Sequence, residues 1–326
     1  MVAVAAPPLD ADDAILADWL ELTAFHDAQS RARFDVIDNV FKIQDEENAS
    51  DTGDADALRE TRRARIETEI ALRGDRLADA YPFTLSEDGE ELTIKIKGQR
   101  RLSSFYLFCL VFSHASRSPI LLQPPASRLL ARGRRREFQI LATLAVAGYI
   151  DGPSLSFGWP RASGTTILQA VARACALSGV GTPRAVPGPV ASKYAKDGGM
   201  DVIAWRPAID GFPPPAEFCF GQAASGHGWR TKNAPDEVED FYRSYYFDRP
   251  NCQTTGVTVV PHRLTTADHD VHGHRHGHIL DRLRTPRAAI KGYDLAAAGV
   301  TVDEVPATAA IAVWLGRYRS QVSKAA

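Results

Sequence analysis

The sequence of 326 residues has few cysteines, no long apolar segment and no secretory signal. Its four cysteines stand far apart without a CxxC pair, which argues against a disulfide framework or a structural zinc knuckle and for reduced thiols. The longest uninterrupted apolar run, Phe105 to Phe112, has eight residues and is too short to cross a membrane. The first residues lack the basic start and the long apolar core of a signal peptide. We therefore expect a cytoplasmic protein without a membrane span.

Missing motifs exclude two classes of enzyme. No GxSxG element occurs, so the chain is not a serine hydrolase of the nucleophile-elbow type. Neither GxxxxGKS nor GxxxxGKT occurs, so the chain does not hydrolyse ATP through such a phosphate loop. Any nucleotide-driven motor would therefore belong to a partner.

The net charge of −2 is unevenly distributed along the chain. Residues 1–60 carry 15 acidic and 4 basic side chains, whereas the remaining residues carry 25 acidic and 34 basic ones. The larger part of the chain is mildly basic and could face an anionic polymer. Charge alone favours a simpler interpretation, in which a solvated acidic leader precedes a nearly neutral domain.

The first third of the chain is predicted to be mainly helical. Apolar residues recur there at helical spacing, and the Asp88-Gly89 pair is typical of a hairpin turn. The predicted helices include residues 12–25, 58–80 and 103–112, and the predicted hairpin strands are 83–85 and 91–96. The sequence SPILLQPP then reads as a linker, because two adjacent prolines stop helix propagation. We place a boundary near residue 125, which gives an acidic helical accessory domain over 1–125 and a second domain over 126–326.

The second domain alternates between helical and extended patterns, which favours a layered α/β fold. The predicted helices cover residues 128–150 and 165–177, and the predicted strands cover residues 200–205, 217–221 and 255–260.

The most informative stretch is KDGGMDVIAW, which ends on a predicted strand. Its two glycines permit a tight entry into the strand, and Asp201 stands at the start of that strand. A second strand follows and ends near Gln222. A carboxylate and an amide oxygen on adjacent strands could converge on Mg²⁺, which prefers oxygen ligands and keeps several waters.

These residues resemble the core of the PD-(D/E)xK nuclease superfamily, nearest to its Mrr-type variant with a GGxD strand and then a QxK strand. The resemblance covers about residues 130–260 and implies a restriction-endonuclease-like mixed sheet flanked by helices. In such enzymes the Asp and the Gln carbonyl bind Mg²⁺, with Mn²⁺ able to replace it, and a Glu on the preceding helix often joins them. Carried over to this chain, the ligands would be Asp201, Gln222 and Glu137.

The chain departs from the family pattern at the lysine of QxK, whose position is taken by Ala224. An alanine can neither polarise water nor stabilise charge. Either the lysine role has moved to Lys232, Lys196 or Lys193, or the site is inactive. Each acidic candidate also has an ordinary structural explanation: Asp201 as a turn residue and Glu137 as a first-turn helix acid.

Two further clusters stand out near these motifs. Arg132, Arg134, Arg135 and Arg136 lead into the helix with Glu137 and are natural contacts for DNA phosphates, although a solvated linker would look the same. The run HDVHGHRHGH contains five histidines over 269–278 and could bind zinc or nickel. Its two glycines favour a solvated loop instead.

The resemblance implies a Mg²⁺-dependent DNA endonuclease in bacterial restriction or anti-phage defence. One alternative is a catalytically silent nuclease fold that binds nucleic acid or a partner protein, which Ala224 supports. A third interpretation is a structural subunit of a defence complex that docks through residues 1–125. The acidic leader would then engage a basic partner or cover the protein's own basic cleft until DNA arrives. The expected partners are DNA and other subunits, in a homo-oligomer or a hetero-complex.

Overall fold

The computed structural model describes residues 3–8, 10–36, 39–40, 42, 55–95, 100–116, 118–161, 165–191 and 197–325. It is a mixed α/β structure that divides into two compact units, residues 1–126 with 312–326 and residues 127–311. Our boundary near residue 125 lies close to the first division, but our second domain also included residues 312–326. Among the described residues, no helix is both long enough and apolar enough to cross a bilayer.

The first unit combines helices with a small antiparallel sheet whose strand order is β1-β3-β2. Strands β2 and β3 form the predicted hairpin, and Gly89 adopts a positive φ of 71° in its turn. The elements are α1 (Asp13–His26), β1 (Arg31–Arg33), α2 (Ala55–Leu77), β2 (Phe83–Leu85), β3 (Glu91–Ile94) and α3 (Arg100–His114).

Residues 312–326 belong to the first unit because of their aromatic side chains. Those up to 325 lie on the C-terminal helix Ala309–Ala325. The ring centroid of Trp314 is 5.0 Å from that of Phe108 and 5.7 Å from that of Phe112. Tyr318 stacks on Phe25 at 6.3 Å. Burying these large rings stabilises the first unit through apolar contact that a domain boundary drawn from the sequence does not anticipate.

The second unit contains most of the strands. Its helices are α4 (Ser127–Arg132), α5 (Phe138–Ile150), α6 (Ile167–Ser178), α7 (Ala234–Tyr245), α8 (Thr266–His276) and α9 (Thr285–Ala297), with a π-helical turn at Gly133–Glu137 between α4 and α5. Its strands are β4 (Ser154–Ser156), β5 (Thr182–Pro183), β6 (Val202–Arg206), β7 (Glu217–Ala223), β8 (Tyr246–Asp248), β9 (Gln253–Val259) and β10 (His278–Leu280).

A five-stranded mixed sheet forms the centre of this unit, in the order β10-β9-β7-β6-β4. Strands β4, β6 and β7 are antiparallel neighbours, whereas β7, β9 and β10 run parallel. Helix α7 lies in the crossover between β7 and β9, which parallel strands require.

The two faces of the sheet carry different helices. Ile203 and Phe220 share an apolar cluster with Val238 and Phe241 of α7 and with residues of α6. Because side chains alternate along a strand, the neighbouring Gly221 points to the opposite face, where a Cβ would lie 3.0 Å from Val146 of α5. Helix α5 therefore covers one face, and α6 and α7 cover the other.

The histidine run is helical, contrary to our expectation of a solvated loop. Thr265 caps α8 in a reciprocal capping box with Asp268, which satisfies the first backbone N–H groups of the helix. The helix ends at His276, and Gly277 adopts a positive φ of 65° before β10 begins. The capping residues precede the histidines, so the histidine pattern alone did not reveal the helix.

Candidate functional site

Asp201 and Gln222 face each other across two neighbouring strands. Val202 pairs with Gly221 in the antiparallel register, and the N–H of Asp201 also donates to the Gly221 carbonyl, at 2.9 Å, so Asp201 lies beside the end of β7 that carries Gln222. The Asp201 Oδ2 atom accepts a hydrogen bond of 2.8 Å from the backbone N–H of Ala223. The two predicted ligands are therefore brought together at one end of β6 and β7.

The backbone of Asp201 is held by donors from three other positions. Its carbonyl accepts hydrogen bonds from the N–H groups of Phe157 and Gly158, at 2.7 Å and 3.0 Å. It also accepts a hydrogen bond of 2.6 Å from the Gln139 side chain of α5. These hydrogen bonds hold the backbone of Asp201 in place at the start of β6, so the position from which its carboxylate extends is well defined.

The side chain of Gln222 is fully buried, and its amide orientation follows from its partners. Its Nε2 donates to the carbonyl of Gly199 at 2.9 Å and, in a short contact, to the carboxylate of Glu237. Both partners are acceptors, so the nitrogen must face them. The Oε1 atom is buried and has no hydrogen-bond partner among the described residues. A buried acceptor left in this way costs free energy unless a ligand satisfies it.

The glycine pair before Asp201 allows the loop to press against α7. A Cβ on Gly198 would lie 2.5 Å from the Tyr245 ring and 2.9 Å from the Phe241 ring. A Cβ on Gly199 would lie 2.3 Å from Glu237 Oε2. Both glycines also adopt positive φ values, 68° and 85°, which glycine tolerates best. The two glycines thus serve close packing as well as the turn.

Three carboxylates and the Lys232 ammonium contribute to the electrostatics of the site, and the Arg161 guanidinium interacts with one of them, Asp197. Burial raises the pKa of Asp201 to about 6, and the nearby Asp197 and Glu237 carboxylates act in the same direction. Burial also raises the pKa of Glu237, and Asp197 adds to this effect. The Lys232 ammonium lowers the pKa of both Asp201 and Glu237. Negative charge therefore prevails around a partly buried point, an environment in which a cation is stabilised.

Lys232 is thus in electrostatic contact with the two carboxylates that flank Gln222. It ends the 3₁₀ turn His227–Thr231, and its N–H donates to the carbonyl of Trp229 at 3.1 Å. Trp229 is buried and anchors that turn. Of the three candidate lysines, Lys193 and Lys196 lie outside the described residues.

Ala224 is buried in an apolar cluster with Trp229, Val260, Leu264 and Ile279. Its exposed fraction is 2%. A lysine at this position would have to place its ammonium among these side chains or displace them, at a large desolvation cost. The packing therefore accounts for an alanine at this position.

Glu137 is not brought together with Asp201 and Gln222. It ends the π-helical turn beside α5, and α5 packs on the face of the sheet opposite to the face that carries Asp201 and Gln222. The Oε1 atom of Glu137 accepts a hydrogen bond of 2.7 Å from Arg132, and its Oε2 is buried without a hydrogen-bond partner among the described residues. The side chain of this helix that reaches the Asp201 backbone is Gln139, which is two residues later and points in nearly the opposite direction.

Two of the four arginines predicted to contact DNA are engaged within the protein. Arg132 pairs with Glu137, and Arg136 forms two charged contacts with Glu304, at 2.7 Å and 2.6 Å. Arg134 and Arg135 are exposed on the π-helical turn.

The donor set suits a hard cation with an incomplete protein shell. In the described part of the chain, no three His, Cys, Asp or Glu side chains converge into a metal-binding group. The oxygen donors at the strand ends are the Asp201 carboxylate and the orphaned amide oxygen of Gln222. Mg²⁺ accepts one or two protein oxygens and retains waters at its other positions, so these residues fit it. The histidine run over 269–278 supplies no such group.

Glu237 and Gln139 are the site residues that sequence reasoning missed. Glu237 follows the N-cap residue Asn233 in the first turn of α7, where an acid is common because it complements the helix dipole. Only its contact with Gly199 and Gln222 distinguishes it from an ordinary first-turn acid. Gln139 lies two residues from the predicted Glu137, and its polar side chain within the apolar run of α5 was the available signal.

Comparison with known proteins supplies no relative. No protein-family model, no curated protein and no solved structure matches the chain. Its function is therefore inferred from the geometry of its own residues.

Proposed function

We propose that the second unit binds a divalent cation between Asp201 and Gln222 and hydrolyses phosphodiester bonds in DNA. The observation that carries this proposal is the buried, unpartnered Oε1 of Gln222, next in the chain to Ala223, whose N–H donates to the Asp201 carboxylate. A mixed sheet with helices on both faces, and the order GGMD before FGQ on adjacent strands, agree with the resemblance to PD-(D/E)xK nucleases.

Asp201 would provide the anionic ligand and Gln222 a neutral oxygen ligand. Bound Mg²⁺ would supply charge neutralisation at the phosphate and a readier nucleophilic water. The donors that clamp the Asp201 carbonyl, together with the acceptors that hold the Gln222 nitrogen, keep both oxygens in place before substrate arrives. Such preorganisation lowers the cost of reaching the transition state.

Lys232 would take the part that the resemblance gives to a lysine at position 224. Its ammonium acts on both Asp201 and Glu237, so it belongs to the same small region as the proposed ligands. A fixed ammonium beside the phosphate stabilises the charge that develops during the reaction. The apolar surroundings of Ala224 explain why this charge would come from another position.

The same observation at Ala224 favours a second candidate function, a catalytically silent nuclease fold that binds nucleic acid or a partner protein. A role in restriction or anti-phage defence, and assembly with other subunits, stay predictions from the resemblance. Turnover separates the two candidates, because only the first predicts hydrolysis.

Cleavage of supercoiled and linear DNA by the full chain, with Mg²⁺ or Mn²⁺, tests the proposed function. We expect Asp201→Asn to lower the rate by about 100-fold or more, because the anionic ligand is lost. Asp240→Asn is the matched control, since this aspartate is exposed on α7 and should leave the rate unchanged. Full activity in Asp201→Asn would remove Asp201 from the site.

Lys232→Ala in the same assay distinguishes a catalytic ammonium from a surface lysine. We expect turnover to fall by about 100-fold while DNA affinity changes by less than about twofold, the pattern of a lost transition-state interaction. Absence of cleavage by the wild-type chain on every form of DNA and RNA would instead favour the silent fold.

A further inference from the structure

We propose that Glu237 is a positioning residue that orients the Gln222 amide so that its oxygen, and not its nitrogen, faces the cation. This inference rests on the proposed metal site and assigns a role to a residue outside the sequence motif. It is carried by the contact between the Glu237 carboxylate and Gln222 Nε2, and by the unpartnered Oε1 on the same amide.

A glutamine amide needs such a positioning contact because its oxygen and its N–H₂ group are nearly equal in shape. A glutamine that rotates by half a turn presents an N–H₂ group, which repels a cation. Two acceptors, the Gly199 carbonyl and the Glu237 carboxylate, hold the nitrogen on the side away from the orphaned oxygen. Because Glu237 is an anion, its hydrogen bond with the amide is stronger than that of a neutral acceptor.

Gly199, which precedes β6, also takes part in orienting the Gln222 amide. Gly199 contributes its carbonyl to the amide, and its missing Cβ leaves the space that Glu237 Oε2 enters. Glu237 itself comes from the first turn of α7, whose Asn233 cap fixes the start of the helix. The loop, the strand and the helix thus meet at one amide group.

Mn²⁺ affinity of the full chain, measured by electron paramagnetic resonance of the free ion, tests this role without requiring turnover. We expect Glu237→Met to weaken Mn²⁺ binding by about 10- to 100-fold, the usual cost of losing a partner that holds a ligand. Glu237→Gln should recover most of that loss, because its amide oxygen can still accept the hydrogen bond from Gln222 Nε2. Glu239→Met, an exposed neighbour on α7, is the matched control and should bind like the wild type.

A double-mutant comparison shows whether Glu237 acts through Gln222. In a Gln222→Met background, Glu237→Met should cause no further loss of Mn²⁺ affinity, because the oriented group is already gone. Additive losses of Mn²⁺ affinity in the double variant would overturn the inference, as would an unchanged Mn²⁺ affinity in Glu237→Met. Mn²⁺ binding by Glu237→Gln that is as weak as binding by Glu237→Met would also overturn it. The last result would make the carboxylate itself a ligand.

The failure of this inference can be told apart from failure of the proposed function. If the wild type binds Mn²⁺ and Asp201→Asn does not, the metal site stands and only the Glu237 variants decide the positioning role. If the wild type binds no Mn²⁺, the metal site is refuted and the inference with it. Circular dichroism of each variant confirms that it remains folded.

Discussion

At the scale of single residues, the neutral side chain of Gln222 limits the negative charge of the candidate site. Asp197, Asp201 and Glu237 already concentrate negative charge there, with Lys232 as the opposing group. A carboxylate in place of Gln222 would add a further buried anion. It would also remove the N–H group that donates a hydrogen bond to the Glu237 carboxylate. In the proposed metal site, a neutral oxygen ligand would avoid both costs while keeping the hard donor that Mg²⁺ prefers.

His262 predicts how the stability of the protein depends on pH. Burial lowers the pKa of His262 to about 4, and the His227, Arg282 and Arg230 side chains act in the same direction. The unfolded chain therefore binds the proton more readily, with an ordinary pKa near 6.5. The contribution of His262 to the free energy of unfolding is therefore nearly constant above pH 6.5, and it falls as the pH drops from 6.5 towards 4.

We expect His262→Asn to remove about 3 kcal/mol of this fall between pH 7 and pH 4, as measured by urea unfolding at each pH. His274→Asn is the matched control, because His274 is exposed on α8. Parallel pH curves for the wild type and His262→Asn would contradict the prediction.

The sequence predicted part of the candidate site, because Asp201 and Gln222 lie on two strands that follow each other in the chain and pair with each other. Asp201 and Gln222 follow from a glycine pair, an apolar strand and a second strand in order, and the antiparallel pairing of Val202 with Gly221 then brings the residues next to them close together. Glu237 approaches from a helix, so its role depends on how closely α7 packs against Gly199. That distance depends on the side chains of the whole layer, and no spacing rule encodes it.

At the scale of elements, the crossing of α5 and α9 depends on two glycines. A Cβ on Gly148 would lie 1.9 Å from the carbonyl oxygen of Ala288, and one on Gly292 would lie 2.0 Å from that of Leu144. Backbone atoms cannot yield as a flexible side chain can, so any larger residue must separate the helices. Helix α5 in turn supports β6 and β7, the strands that carry Asp201 and Gln222.

Gly148→Ala should lower the free energy of unfolding by about 3 kcal/mol, as measured by chemical denaturation. Gly273→Ala is the matched control, because its Cβ meets no atom within 4 Å on a helix, and it should be neutral or slightly stabilising. Equal stability of the two variants would show that the helices can separate without cost.

Elements with strong apolar patterns were predictable, and those set by caps or by a local change of helix type were not. The strands β6, β7 and β9 coincide closely with the predicted runs. In β6 and β7 the signal is a mainly apolar buried run, and in β9 it is the β-branched residues, buried at the end of the strand. The single predicted helix over 128–150 instead contains a π-helical turn, which has no signature in the spacing of apolar residues. That turn carries Arg134, Arg135 and Arg136 of the arginine cluster.

At the scale of the whole molecule, charge is separated between the acidic start and the mildly basic remainder. A basic surface attracts DNA at any sequence, and its affinity falls steeply with salt because bound counterions are released. The arginine cluster contributes less to such a surface than its sequence suggests, since Arg132 and Arg136 are paired with Glu137 and Glu304. Arg134 and Arg135 are exposed on the same stretch, and contact to DNA phosphates should be tested with them.

We expect the double variant Arg134→Ala with Arg135→Ala to weaken duplex binding at every sequence and to reduce the slope of log affinity against log salt by about 2, one unit for each lost phosphate contact. Titration of a fluorescent duplex at several salt concentrations measures both quantities. Arg317→Ala with Lys324→Ala is the matched control, because it removes the same net charge from exposed positions in the other unit. If the two double variants changed affinity and slope equally, net charge would explain the binding and the cluster would be an ordinary solvated surface.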